Sequence, residues 1–422
     1  MSNFHSYLPG NPKLFRLLAM GIAFCLPVTK QGVPLLIAML VLLRIWQYFI
    51  GDKGAIQASK PLRIFGILCI SYYLLHIIGM AWTEDIASGW DELEYKLSFL
   101  VIPLLFVFRV PYKDKFLRLV SLSYVGGTIC FMAYALIRAS LRYEDEGLTV
   151  WFYSQLSSYF HPAYMALYAC WAAILSIQLF KEYPRFNFIF WISALLMLFF
   201  VVLLASKAGF FAAIITVFFA AVYLLRISFK SYTHWLIIGS SIAILAFGSA
   251  YSPSLNQRLL AATETVKQNE TDNSIIASPD TVQNQVSQGS TSLRLIAMRA
   301  GFDYFVSHPF GAGTGDLDLA MLEEYQKMEA RESIEKKLNP HNQYLSTGVA
   351  LGWPGMLLLL GILFFPAWHF LRKGRIIHFA LPLILAFNLV FESMLEVQGG
   401  IVFFVFWITL LLAEPEKTLS IE

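Results

Sequence analysis

Residues 184–226 read PRFNFIFWISALLMLFFVVLLASKAGFFAAIITVFFAAVYLLR, two apolar blocks that meet at a tight Ala-Ser-Lys-Ala-Gly hairpin. A helix rises about 1.5 Å per residue, so each block of about 20 residues matches a hydrocarbon core of about 30 Å. The same rhythm extends in both directions from this hairpin. Across all 422 residues, 57% are apolar and 14% charged, against about 25% charged in soluble domains. This composition excludes an ordinary soluble globule and a disordered chain, and the chain reads as an all-α polytopic membrane protein. The net charge of +3 says little as a sum, because the side that the charges occupy is what matters in a membrane protein, and nucleic-acid binding is not suggested.

Windows of about 19 residues give twelve candidate spans. They fall near residues 14–29, 33–50, 62–81, 97–110, 117–137, 162–180, 186–205, 208–225, 233–251, 344–371, 377–395 and 398–413, with the fourth and twelfth short for a crossing. The first block follows Lys13 and Arg16 but lacks a small-residue cleavage pattern, so it is expected to be a retained helix. The four cysteines, Cys25, Cys69, Cys130 and Cys170, sit inside apolar blocks and read as packing residues.

Basic residues orient the chain. With a cytoplasmic N-terminus, seventeen Lys and Arg fall on inner segments and only Lys30, Lys96, Arg138, Arg142 and Lys207 on short outer ones. That bias predicts both termini in the cytoplasm. Dropping either weak span would destroy the alternation. Arg44, inside the second span near its inner end, is expected to snorkel to the interface.

One stretch interrupts the rhythm and divides the chain into helices 1–9 (residues 1–251), an outer loop (252–342) and helices 10–12 with a tail (343–422). The loop's first half, residues 263–292, is polar and poor in aromatic residues, which predicts a mobile insert. Beyond it Leu293, Ile296, Ala297, Ala300 and Tyr304 recur at helical spacing, predicting an amphipathic helix that a Pro-Phe-Gly-Ala-Gly-Thr-Gly turn ends.

The polar groups nearest apolar runs gather on the outer face: His76, Glu94, Lys96, His161, Lys207, Arg294, Arg299, His341, Glu392 and Glu396. Ionisable groups at membrane depth are costly, so this one-sided clustering points to a polar site at the outer interface. Lys207 sits in so tight a hairpin that its ammonium must lie near membrane depth, although reaching for lipid phosphates is a sufficient role for such a lysine. His341, in Asn-Pro-His-Asn-Gln where the loop re-enters the bilayer, is the natural proton acceptor near neutral pH. Gly311, Gly313 and Gly315 have the spacing of a phosphate nest or of a simple turn. Asp316 and Asp318 have the spacing of the metal motif of sugar-nucleotide transferases, which act on cytoplasmic nucleotides, whereas this loop is expected outside. Cations beside one histidine suit a phosphorylated substrate and a hydroxyl that loses its proton. A lipid-linked diphosphate sugar fits: lipid in the bilayer, diphosphate at head-group level near Lys207 and Arg294, glycan outside.

Residues 341–355, HNQYLSTGVALGWPG, resemble the signature of the O-antigen ligase and O-antigen polymerase superfamily: His, then a small polar residue, nine residues, Gly, two residues, Gly. Ser292-Leu293-Arg294 and the later HPFGAGTGD are similar to that family's arginine helix and Pro-Phe-Gly-x-Gly turn, and twelve spans with one large late loop match its architecture. The resemblance covers roughly residues 160–410. It implies a GT-C-like fold in the bacterial inner membrane with a periplasmic loop of short helices. It also implies a metal-independent, cofactor-free inverting glycosyltransferase that uses an undecaprenyl-diphosphate-linked glycan. Carried over by position, Arg294 binds the diphosphate, and His341 binds it or acts as base. Lys207 replaces an arginine common in relatives, keeping charge but losing bidentate geometry. Asn342, His161, Gly313 and Glu392 are candidate supports. The acceptor is expected to be lipid A core, as in a ligase, with another lipid-linked glycan, as in a polymerase, the alternative. A protein O-glycosyltransferase is a third acceptor class. A transporter would place polar groups at mid-bilayer in two related halves, which this sequence does not do.

Overall fold

The computed structural model describes residues 12–49, 58–107, 115–251 and 290–414. Among them no strand occurs and the regular structure is helical. Most of the polar insert, and Lys53, Arg109, Lys113 and Lys417 of the orienting set, lie outside the described residues.

Every predicted span contains a helix. In chain order these are α1 (Pro12–Cys25), α2 (Gly32–Phe49), α3 (Lys60–Gly79), α4 (Ile86–Val107) and α5 (Phe116–Glu146). After the single turn α6 (Tyr153–Leu156) come α7 (Pro162–Glu182), α8 (Asn187–Leu203), α9 (Lys207–Ile227) and α10 (Tyr232–Tyr251). The loop supplies α11 (Ser290–Ser307), α12 (Leu317–Lys327) and α13 (Arg331–Lys336), and the chain closes with α14 (Gln343–Arg372), α15 (Ile376–Asn388) and α16 (Gln398–Ala413). Among the described residues, seven helical segments, at residues 32–49, 60–82, 116–151, 162–182, 184–203, 207–227 and 343–372, are long and apolar enough to cross a membrane. Residues 232–248, 376–388 and 398–413 form shorter apolar helices. The chain is a polytopic membrane protein.

Short α16 sits at the centre. Its residues from Gly400 to Leu412 are all buried, because α3, α4, α5 and α7 surround it. Trp407 meets Trp171 of α7 at 5.5 Å and Tyr124 of α5 at 5.1 Å, while Phe404 meets Phe65 of α3 and Phe406 meets Phe106 of α4, both at 6.1 Å. A helix apolar on every side belongs inside a bundle. Sheathed in protein, it need not match the lipid thickness, which accounts for its shortness.

Arg44 differs from expectation. Its Nε and Nη2 donate to the Leu105 carbonyl at 3.2 and 3.0 Å, and the guanidinium lies 4.3 Å from the Phe15 ring centre. It therefore satisfies a carbonyl that the last turn of α4 leaves open, a local role in place of snorkelling.

The largest departure concerns α14. Gly352 adopts φ 62°, ψ −155°, breaking the apolar run into a half-helix of residues 343–351 and a longer helix of residues 353–372. The second part alone spans about 30 Å, so it suffices for the crossing expected of residues 344–371. The half-helix is left to build the site.

Candidate functional site

The half-helix is held by a joint between two glycine-rich segments. Past Gly352, Pro354 has no N–H to give Ala350, and the Trp353 amide turns away to the Pro309 carbonyl at 2.9 Å. The freed carbonyls of Val349 and Ala350 instead accept the amides of Ala312 and Gly313 at 2.8 and 3.0 Å. Gly311 and Gly352 have positive φ, and a Cβ on Gly311 would lie 2.4 Å from the Ala350 oxygen. Only glycine lets the two backbones approach so closely.

Of the two readings of Gly311, Gly313 and Gly315, this geometry favours the simple turn over the phosphate nest. The Gly311 amide donates to His308, that of Gly313 to Ala350, and that of Gly315 to the Thr83 hydroxyl at 3.5 Å. The turn anchors α14 to the rest of the fold. Asp316 likewise accepts the amides of Glu84 and Asp85, both at 2.8 Å, so its carboxylate ties the loop to the start of α4. Among the described residues no cluster of His, Cys, Asp and Glu has the form of a metal site.

At the other end of the half-helix, Asn342 caps the first turn by accepting the Leu345 amide at 3.1 Å. Just before it His341 takes a left-handed conformation, φ 48°, with its amide donating to Asn339 Oδ1 at 3.0 Å. Such a conformation is unusual for a residue with a side chain and persists only where its surroundings hold it. His341 is half-buried, and burial, followed by the charges of Arg294 and His161, lowers its pKa from 6.5 to about 4. Its imidazole is therefore neutral at pH 7 and available as an acceptor.

Arg294, on the first turns of α11, places Nη2 3.2 Å from Oε1 of Glu392, whose side chain is largely buried. His161 is the N-cap of α7, and its Nδ1 accepts the Ala163 amide at 3.4 Å. Arg294, His341, His161, Glu392 and Asn342 thus converge at one end of the bundle. Lys207 is the first residue of α9, after the left-handed Ala205 and the capping Ser206. Gly209 packs on Ala166 of α7, and Phe211 meets Phe387 of α15 at 5.7 Å. Lys207 therefore stands at that same end, beside the α7 terminus that carries His161. Gly313 is the predicted site residue that the fold places apart, at the far end of the half-helix.

Behind the cluster lies a buried polar network in which Lys96 and Glu396, expected among the outer-face polar groups, meet Glu92, Gln343, Thr347 and Tyr72, which the sequence does not single out. Lys96, fully buried in α4, pairs with Glu92 and, at 2.7 Å, with Glu396. Glu396 also accepts from Gln343 Nε2, while Gln343 Oε1 accepts the Leu395 amide at 2.6 Å. Burial raises the Glu396 pKa, but the Lys96 charge and hydrogen bonds outweigh this and hold it below the usual carboxylate range. Thr347 joins Gln343 to the Tyr72 hydroxyl at 3.3 and 3.1 Å. The Ser346 and Ser393 hydroxyls share a bond of 2.9 Å. These contacts fix the half-helix to the segment bearing Glu392. The clue in the sequence was Glu92 and Lys96 at helical i,i+4 spacing, hidden because α4 starts about eleven residues before the apolar run.

No curated protein matches the chain. Residues 192–360 match the family described as O-antigen ligase, a stretch that holds Lys207, the whole of α11, the glycine joint and the half-helix. Over that stretch the chain is similar to the O-antigen ligase and O-antigen polymerase superfamily, and the match supports a glycosyl-transfer kind of enzyme.

Proposed function

We propose that this chain moves a glycan from an undecaprenyl-diphosphate donor to a sugar hydroxyl of lipid A core, as an O-antigen ligase at the periplasmic face of the bacterial inner membrane. In this reading all twelve apolar helices cross the membrane in a GT-C-like arrangement and both termini are cytoplasmic. The observation that carries it is the convergence of a neutral histidine, His341, with the Arg294 guanidinium near the N-terminal end of a loop helix. The acceptor oxygen attacks the anomeric carbon and its proton passes to the His341 imidazole. The carbon–oxygen bond to the diphosphate breaks, and the leaving charge is met by Arg294, with Lys207 as a second cation. A single displacement of this kind inverts the anomeric centre. Diphosphate leaves without a protonated acid, so the scheme needs neither metal nor cofactor.

The donor chemistry is common to ligase and polymerase. Incubating the purified protein with a lipid-linked glycan, and with either core lipid or a second lipid-linked repeat, separates them. Polymer joined to core lipid supports the ligase reading, lengthened lipid-linked polymer replaces it with the polymerase one, and no product with either acceptor contradicts both.

A further inference from the structure

Helix α11 carries apolar residues on two faces, unlike the one-sided helix that the spacing of residues 293–304 predicts. Leu293, Ala297, Ala300 and Tyr304 are buried, the last three in a small core with α12 and Val349 of α14. Leu295, Phe302 and Val306 lie exposed on the opposite side, at helical spacing with exposed Arg299, and Phe310 at the tip of the following turn is 71% exposed. An aqueous loop gains nothing by presenting this face to water.

Its position says what covers it. Phe310 backs onto Gly352, whose Cβ, if added, would lie 2.6 Å from the Phe310 Cα, and Phe305 packs on Trp353 at 4.7 Å between ring centres. Trp353 begins the crossing half of α14, and below it Leu357, Phe364, Trp368 and Leu371 are exposed along the helix. On a span, such a stripe is the lipid-contacting face, and a tryptophan at its head belongs to the interfacial aromatic belt. Phe310 and Val306 therefore continue the lipid-facing stripe around the outer end of α14. Arg299, paired with Asp303 at 2.7 Å, stands on the same face, as suits a surface meeting phosphate head groups.

We propose that the outer face of α11 and the Phe310 tip are seated in the boundary between head groups and acyl chains of the leaflet that α14 enters. The loop is then a monotopic membrane element, and α11 holds Arg294 near head-group depth. This inference rests on α14 crossing the bilayer and not on the glycan-transfer reading, so either can fail alone.

The test uses the full chain in lipid nanodiscs. Phe310→Cys, with Cys25→Ala and Cys130→Ala to remove the less buried native thiols, carries an environment-sensitive fluorophore. The discs contain phosphatidylethanolamine and phosphatidylglycerol, either plain or brominated close to the glycerol. Emission at position 310 is expected to fall about twofold or more in brominated discs, while a label at Glu335→Cys, exposed on α13, is unchanged. Val306→Cys and Phe302→Cys, read in the same way, decide the matter if the 310 variant does not fold. Equal emission in plain and brominated discs overturns the proposal, as does equal quenching at Glu335. A disulfide between two Phe310→Cys chains without quenching assigns the face to a second copy and also overturns it.

Discussion

Arg294 and Glu392 are 98 residues apart in sequence and meet with Nη2 3.2 Å from Oε1, joining the loop helix to the segment between α15 and α16. The carboxylate points the guanidinium fork toward the same end of the bundle as His341. Arg294→Lys keeps the charge and loses the fork, so we expect kcat/KM for the lipid-linked donor to fall about tenfold to a hundredfold at unchanged membrane abundance. An undiminished rate in Arg294→Lys would show that only the charge matters.

The pH profile follows from His341. Its pKa is lowered to about 4 by burial and by the neighbouring charges of Arg294 and His161, so the neutral, proton-accepting form persists well below pH 6.5. The kcat/KM profile, which reports the free protein, should stay level from pH 7 to about pH 5 and fall as pH drops through about 4. An acid limb centred near 6.5 would mean that His341 titrates as an ordinary histidine and that the cluster does not act on it.

Gly352→Ala tests the joint that separates half-helix from span. The position has φ 62°, and the added methyl would lie 2.1 Å from the Pro309 carbonyl oxygen. Backbone strain alone costs about 1–3 kcal/mol, and the clash forces the two segments apart. Gly374, with φ 67° and open space around it, is the matched control. In thermal unfolding followed by size exclusion, Gly352→Ala should lose far more stability than Gly374→Ala, and equal losses would dismiss the joint.

Asp316 is expected to act as an anchor through the amides of Glu84 and Asp85. Asp316→Asn should lower the melting temperature, since the amide group loses the charge and one acceptor, worth about 1–3 kcal/mol. A strong chelator should leave the wild-type transfer rate unchanged. Chelator inactivation reversed by a divalent cation would return Asp316 and Asp318 to the role of metal ligands.

How far the sequence is legible depends on the kind of interaction. Apolar blocks locate the seven helices long enough to cross a membrane and the shorter apolar ones beside them, because lipid demands a long uncharged run wherever a helix faces it. His341, Arg294, His161 and Glu392 are also readable, as ionisable groups beside such runs. The break at Gly352 is not readable from hydropathy, since Leu351 and Trp353 are as apolar as a span requires, and only Gly and Pro at residues 352 and 354 hint at it. The role of Gly313 and Asp316 also escapes, because their partners Ala350, Glu84 and Asp85 are remote in sequence and involve backbone atoms alone. Lys96 and Glu396 are readable as outer-face polar groups, but their burial and their pairing with Glu92 are not, because charges that neutralise one another inside a bundle look like surface charges until the chain is folded.

The central claim is that Arg294 and His341 carry glycan transfer, and a reconstituted assay tests it most directly. Wild-type, Arg294→Ala and His341→Ala proteins, purified at equal yield, are given lipid-linked glycan and core lipid, and attached polymer is followed with time. We expect each variant to lose at least about a hundredfold in rate while keeping the melting temperature of the wild type. Transfer at the wild-type rate by both variants would contradict the account.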